Sequence, residues 1–300
     1  MVSGHRGVST VADVALALLL VGAAVVVLAG AADSGVSGHP NDRAPTTAQA
    51  VTAATVSVTY TPELGGETGD VTGMSTRSVQ GSVGELLADA AASNATLDGS
   101  PVSVGAERYA EAVSAAAVGA FPTGGRTRVV ATWRPYDSAA LGGSIAAGHT
   151  PPPDADVSVA TLNVPTRIES VDDDRLAAAY DSGGYDRAAR LVARAVVDGF
   201  LPPEETQLAL EGRGATRALA VARYERFGSA VGVTFDAGRG VLGRTTADAP
   251  GANARLVDAL IPRLAADMER ALSPRVTNGT ELAAAVSVDE ATVAVYTWER

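Results

Sequence analysis

The chain has 300 residues, of which 34 are acidic and 23 are basic, and its formal net charge at pH 7 is −11. It contains no cysteine, which excludes disulfides, thiolate metal sites and cysteine nucleophiles. Hydrophobic residues make up 46% of the chain, enough to form a buried core, whereas the strong acidity argues against binding to the phosphates of a nucleic acid.

All the basic residues are arginine, so the chain has no lysine. An acidic, lysine-free surface is typical of proteins from salt-rich environments, where a Debye length of about 3 Å at molar salt screens the repulsion among carboxylates. We therefore predict a haloarchaeal protein whose fold depends on salt. The alternative is codon drift in a GC-rich genome, which favours Ala, Gly, Arg, Val and Asp.

An apolar segment near the N-terminus predicts a membrane helix. From Val14 to Ala32, nineteen residues carry no charged or strongly polar side chain, and at 1.5 Å per residue they span a hydrocarbon core of about 30 Å. Arg6 is the only certain positive charge near this segment, which favours a cytoplasmic N-terminus. We predict a single-pass protein of the cell membrane with a cytoplasmic tail at 1–13, a transmembrane helix at 14–32, a linker at 33–50 and an extracellular domain at 51–300.

Three interpretations of the apolar segment remain open. It is a stable signal anchor, or a secretory signal cleaved near Ala29-Gly30-Ala31, although it is longer than the apolar stretch of 7–15 residues typical of such signals. The third interpretation rests on the preceding run His5-Arg6-Gly7-Val8-Ser9-Thr10-Val11, in which a basic residue and a glycine lead through a short polar stretch into the helix. This run resembles the class III signal of archaeal type IV pilins and archaellins.

The resemblance implies that a prepilin peptidase cleaves between Gly7 and Val8, with Arg6 as the basic determinant, and leaves the apolar helix on the mature protein. The sequence departs from bacterial-type pilins at Asp13, because those pilins carry glutamate at the fifth mature residue and Asp13 is the sixth. The whole plan is similar to pilin-like membrane proteins of haloarchaea associated with type IV pilus or Tad-like systems. It implies that other pilin-like subunits are partners of this protein, in addition to the lipid bilayer around residues 14–32.

Beyond the membrane segment, hydrophobic periodicity predicts a mixture of strands and helices. The run from Pro135 to Pro153, with Gly142 and Gly143, is predicted to be a loop, and Pro262 is predicted to kink or divide the last helix. Irregular alternation of the elements favours one α+β domain over a doubly wound sheet. Strands are predicted at 51–60, 126–133, 156–164, 230–235 and 291–298. Helices are predicted at 78–92, 106–120, 185–200, 204–227 and 252–272, and residues 172–174 are predicted to lead into the helix at 185–200.

Two motifs resemble ligand sites but have simpler explanations. Gly238 to Gly243 fits G-x-G-x-x-G, yet Pro250 follows too soon for a dinucleotide-binding helix, so we predict a surface turn. Asp172-Asp173-Asp174 lacks the spacing of a calcium loop, and helix capping explains it.

A series of arginines at helical spacing predicts an exposed basic face. Arg213, Arg217, Arg223 and Arg226 belong to it, and we expect this face to pair with neighbouring carboxylates such as Glu211. A partner that offers carboxylates is the alternative.

No motif in the chain points to an enzyme. The three histidines lie before the membrane segment and in Pro/Gly-rich stretches, and no G-x-S-x-G or H-E-x-x-H motif is present. We expect no catalytic residue, cofactor or metal. The sequons at Asn94 and Asn278 are predicted N-glycosylation sites if the domain is extracellular.

The sequence therefore predicts a pilin-like surface protein, structural or accessory in a type IV pilus or Tad-like system. The alternative is an enzyme or ligand-binding domain held outside the cell by the same anchor. A cavity with converging polar groups favours that alternative, whereas an open, flat domain favours assembly.

Overall fold

The computed structural model describes residues 43–62, 76–121, 126–236 and 239–299, and one compact unit comprises Ala44–Arg300. The predicted leader (Arg6, Gly7, Val8) and the predicted membrane segment at 14–32 lie outside the described residues. Among the residues that are described, no helix has the length and apolar character needed to cross a membrane.

The unit begins with a helix where a linker was predicted. Helix α1 (Arg43–Ala53) precedes strand β1 (Thr55–Tyr60). Ala44, Ala48 and Val51 are buried along one stripe of α1, at the spacing of an amphipathic helix. The linker predicted at 33–50 is therefore wrong from residue 43 onward, and the first strand starts four residues later than predicted.

A six-stranded antiparallel sheet organises the rest of the unit. Its order is β4-β3-β6-β5-β8-β7, and a separate antiparallel pair joins β1 to β2. Alternate residues of β5 and β8, including Val129, Ala131, Val293 and Val295, are buried on one face, the period of a half-covered sheet. The strands are β2 (Arg77–Ser82), β3 (Thr96–Leu97), β4 (Ser100–Pro101), β5 (Thr127–Trp133), β6 (Leu141–Gly148), β7 (Val157–Pro165) and β8 (Glu290–Trp298).

Seven further helices complete the described fold. The first of them packs against the sheet, and the longer ones pack chiefly against one another. The face opposite carries partly exposed apolar side chains, of which Val159 is 51% exposed. The helices are α2 (Val83–Ser93), α3 (Ala106–Gly119), α4 (Asp173–Phe200), α5 (Pro203–Glu211), α6 (Gly214–Val231), α7 (Ala249–Leu272) and α8 (Gly279–Ala285).

The mixed α+β class is confirmed, and several of its elements differ from prediction. Strand β6 occupies part of the predicted loop, because Gly143 lets the backbone of α2 approach where a Cβ would clash with it. The strand predicted at 230–235 is wrong: α6 continues to Val231 and ends on Gly232, whose φ of 81° is left-handed. The helix predicted at 204–227 is two helices, α5 and α6. Helix α7 continues through the exposed Pro262, so this proline does not divide it.

Candidate functional site

A cavity of about 410 Å³ lies beside the β1–β2 pair, bounded by helices α2, α3 and α6 and by the junction of α4 with α5. It unites residues that are far apart in sequence, from Tyr60 to Phe227. Its volume falls in the range of roughly 300–1,000 Å³ typical of small-molecule sites. The polar side chains in its wall are those of Tyr60, Arg77, Asp89, Ser103, Tyr109, Arg167, Glu205 and Arg223.

An ion pair between Arg167 and Asp89 forms one side of the cavity. The Arg167 Nε donates to one carboxylate oxygen of Asp89, and the Arg167 backbone N–H donates to the other at 3.1 Å. The Asp89 side chain is 13% exposed and that of Arg167 66% exposed. Burial raises the pKa of Asp89 and the neighbouring guanidinium opposes that rise. The Asp89 carboxylate therefore balances the positive charge of Arg167.

Two tyrosines pack against each other next to this pair. Tyr60, at the end of β1, and Tyr109, on α3, have ring centroids 4.9 Å apart with a tilt of 44°. Tyr109 is 5% exposed, and its hydroxyl oxygen is buried with no hydrogen-bond partner among the described residues. Burial raises the pKa of Tyr109 to about 12, so at neutral pH this hydroxyl keeps its proton.

Arg223 is the other unusual polar residue of the wall. It projects from α6 and is half-buried, and no described residue makes a hydrogen bond or ion pair with it. Burial lowers the pKa of Arg223, and the positive charge of Arg77 lowers it further, while Tyr60 and Glu205 oppose the shift. The site therefore contains a guanidinium that is partly removed from water and has no carboxylate in contact.

Apolar side chains form the remaining wall. Val102, Ile168, Leu201 and Phe227 are buried and line the cavity. Phe200, the last residue of α4, meets Phe227 edge to face with centroids 5.9 Å apart. The cavity thus has a cationic, hydrogen-bond-donating end and an aromatic and aliphatic side.

Sequence reasoning missed this site. It placed Arg223 by spacing in an exposed basic face with Arg213, Arg217 and Arg226, and the structure corrects that placement. Arg217 instead donates to the Leu242 carbonyl at 2.7 Å, and Arg223 faces the cavity. The four elements that supply Tyr60, Asp89, Tyr109 and Arg223 come together only in the tertiary fold, so no local pattern signals the cluster.

The motifs weighed from sequence lie elsewhere. Asp172 caps α4, accepting from the Arg175 backbone N–H at 2.8 Å, which confirms the capping explanation. Gly240 to Leu242 form a 3₁₀ turn that leads to α7 through several further residues. Among the described residues, no group of three or more His, Asp or Glu side chains is placed to hold a metal ion.

The two sequons occupy different environments. Asn94 follows α2 and its side-chain amide donates to the Ser144 carbonyl at 3.1 Å. Asn278 is exposed and lies at the start of α8, a helix that was not predicted, where its side-chain oxygen accepts from the Glu281 N–H at 3.0 Å. Glycosylation at Asn94 and Asn278 stays a prediction.

The chain belongs to a family of unknown function, DUF7284, whose model matches residues 12–298. No curated protein matches the chain, and no solved structure matches it.

Proposed function

We propose that this member of the DUF7284 family is a surface protein, anchored by residues 14–32, whose folded domain binds a small ligand in the cavity. The observation that carries the proposal is the Arg223 guanidinium, which is half-buried in the cavity wall and makes no hydrogen bond or ion pair with any described residue. An unsatisfied buried polar group costs about 1–3 kcal/mol, and native structures leave few of them. A ligand that accepts hydrogen bonds removes this cost.

The proposal assigns binding and no chemical step to the domain. The cavity lining has no histidine, and its acidic residues are Asp89, held by Arg167, and the exposed Glu205. This arrangement supports recognition of a ligand by complementary charge and shape.

A ligand screen with a cavity-filling variant tests the proposal. Thermal unfolding of the full chain in detergent is followed with a library of small acids, bases and neutral compounds, for wild type, Ser103→Trp and Ser229→Trp. Ser103 lines the cavity at a half-exposed position and Ser229 is exposed on α6, outside the cavity lining. We expect at least one compound to raise the midpoint of wild type and Ser229→Trp but not of Ser103→Trp. Equal shifts in all three proteins, or none, contradict the proposal.

A second candidate function is pilin-like assembly in a type IV pilus or Tad-like system. The Arg6-Gly7-Val8 run before the apolar segment favours it. So does strand β7, which lies at the edge of the sheet with no strand on its outer side among the described residues and with Val159 exposed. Edge strands of this kind offer unpaired backbone groups to another chain.

The mature N-terminus tests the second candidate. Mass spectrometry of the protein from native membranes is expected to find a chain that begins at Val8, and full-length protein in cells without prepilin peptidase. A chain that keeps Met1 or Val2 is an ordinary anchored protein, and a start near Ala32 makes it a secreted one. Either of these results contradicts pilin-type processing without affecting ligand binding.

A further inference from the structure

The charge in the cavity wall selects the charge of its ligand. Three guanidinium groups, those of Arg77, Arg167 and Arg223, face two carboxylates, those of Asp89 and Glu205, which leaves one net positive charge. The Arg167–Asp89 pair is self-contained, so the excess lies with Arg77 and Arg223. A single negative charge balances this end of the cavity, whereas a second one would exceed it.

The donors at the same end suit a carboxylate. Arginine presents N–H groups in a planar fork that matches the two oxygens of a carboxylate, and such charged hydrogen bonds are stronger than neutral ones. Arg223 supplies these donors in the cavity wall. These donors have no acceptor among the described residues.

The other side of the cavity suits an apolar body. Phe200 and Phe227 present an edge-to-face pair, and Val102, Ile168 and Leu201 extend the apolar wall. A small inorganic anion would leave this wall in contact with water, whereas an aromatic or branched acid covers it and gains from the burial of apolar area.

We propose that the cavity binds a monocarboxylic acid, with its carboxylate on Arg223 and its apolar body against Phe200 and Phe227. This inference rests on the proposed function and adds the chemical class of the ligand.

Calorimetric titration of the full chain in detergent at molar potassium chloride tests the inference. Benzoate is the probe, and benzamide, benzylamine and inorganic phosphate are the comparisons. Benzamide keeps the shape and loses the charge, benzylamine reverses the charge, and phosphate keeps a negative charge without the apolar body. We expect benzoate to bind at least about tenfold more tightly than each of the three, because a charged hydrogen bond is lost in the first two and apolar contact in the last.

Variants locate the binding. We expect Arg223→Gln to weaken benzoate binding about tenfold or more, with Arg223→Lys intermediate because it keeps the charge but not the fork. The control is Arg190→Gln on α4, an exposed arginine 3.7 Å from Asp258 and outside the cavity lining, and it should bind as wild type does. Circular dichroism confirms that each variant is folded, and Arg223→Lys serves if Arg223→Gln is not.

The outcomes separate the two proposals. Benzamide, benzylamine or phosphate binding as well as benzoate, with loss of binding in Ser103→Trp, overturns the monocarboxylate inference and leaves the cavity as a ligand site. Benzoate binding that Arg223→Gln leaves unchanged also overturns the inference. Absence of binding by all four probes overturns it too, and the library screen then decides on the proposed function.

Discussion

At the scale of single residues, two features of the described structure affect binding or stability: the polar side chains of the cavity wall and a glycine with non-helical backbone angles in helix α4. Arg223 keeps a guanidinium that no described residue pairs with, unlike the buried Asn253, whose amide donates to Asp198 and the Leu201 carbonyl. Since Asn253 shows that this fold can satisfy a buried side chain in full, the unpaired Arg223 in the cavity wall points to binding.

The backbone of helix α4 departs from helical geometry at Gly184, and a glycine allows this departure. Its φ of 63° and ψ of −155° lie in a region that only glycine occupies readily, whereas no atom lies within 4 Å of a Cβ added there. We expect Gly184→Ala to lower the free energy of unfolding by about 1–3 kcal/mol through backbone strain alone. Urea unfolding followed by circular dichroism measures this change.

Gly119, at the end of α3, provides the matched control. A Cβ there also meets no atom, and its φ is negative. Gly119→Ala should leave stability unchanged or raise it slightly. Equal effects of the two substitutions would refute the assignment of strain to Gly184.

The carboxyl group of Asp89 gives the stability a particular pH dependence. Because burial raises its pKa above the unfolded value, the folded state binds this proton more tightly, so the contribution of Asp89 to stability is full below the unfolded pKa and is lost as the pH rises through the folded pKa. We expect the free energy of unfolding of wild type, relative to that of Asp89→Asn, to be greater at a pH near the pKa of aspartate in the unfolded chain than at pH 7. Urea titrations at both pH values measure this difference.

Glu281 gives a control of opposite sign. Hydrogen bonds from the backbone and side chain of Thr277 lower the pKa of Glu281, so its contribution is present above the unfolded pKa and is lost as the pH falls. Relative to Glu281→Gln, wild type should become less stable at the acidic pH. A difference with the same sign for both pairs would contradict the cause assigned to the pKa shifts.

At the scale of elements, helix α2 carries one wall of the cavity and its start is fixed by a reciprocal cap. The Ser82 hydroxyl accepts from the Glu85 N–H at 3.2 Å, and the Glu85 carboxylate accepts from the Ser82 N–H at 3.0 Å. This capping box also explains why the helix predicted from Ser78 starts at Val83: the residues before the cap pair with β1 instead.

Loss of this cap should destabilise the protein measurably. We expect Ser82→Ala to lower the free energy of unfolding by about 1 kcal/mol, since the N–H of Glu85 loses its acceptor. Ser229→Ala, at an exposed position inside α6, should change it by less than about 0.5 kcal/mol. If Ser82→Ala is as stable as wild type in denaturant titrations, the side-chain cap does not stabilise α2.

Sequence periodicity predicted the elements with strong patterns and failed where tertiary contact decides. Strand β5, with alternating buried Val129, Ala131 and Trp133, and helix α7, with Leu256 and Leu260 on one stripe, follow from their own side chains. The end of α6 and strand β6 do not follow from their own side chains. A left-handed glycine ends α6, and the close approach of α2 determines β6.

At the scale of the whole molecule, composition predicts a fold that depends on salt. With 34 acidic and 23 basic residues, the chain carries an excess of carboxylates and a net charge of −11, and high salt shortens the range of their repulsion from about 10 Å at 0.1 M to about 3 Å at 1 M. We expect the circular dichroism of the protein to lose much of its helical signal between molar and millimolar potassium chloride. A spectrum that is unchanged across this range would contradict the prediction.

The candidate site also belongs to the scale of the whole molecule. Its residues come from β1, β2, α2, α3, α4, α5, α6 and the segments after β4 and β7, and their sequence positions have no common spacing. The fold class follows from the sequence, whereas a cluster assembled from so many elements becomes visible only in three dimensions.

The most direct test of the account is a crystal structure of the full chain with 4-iodobenzoate, in which anomalous scattering locates the iodine independently of the rest of the ligand. We expect the iodine against Phe200 and Phe227 and the carboxylate within hydrogen-bond distance of Arg223. Iodine bound only at other surfaces, with the cavity holding water alone, would contradict the claim that this cavity is the ligand site.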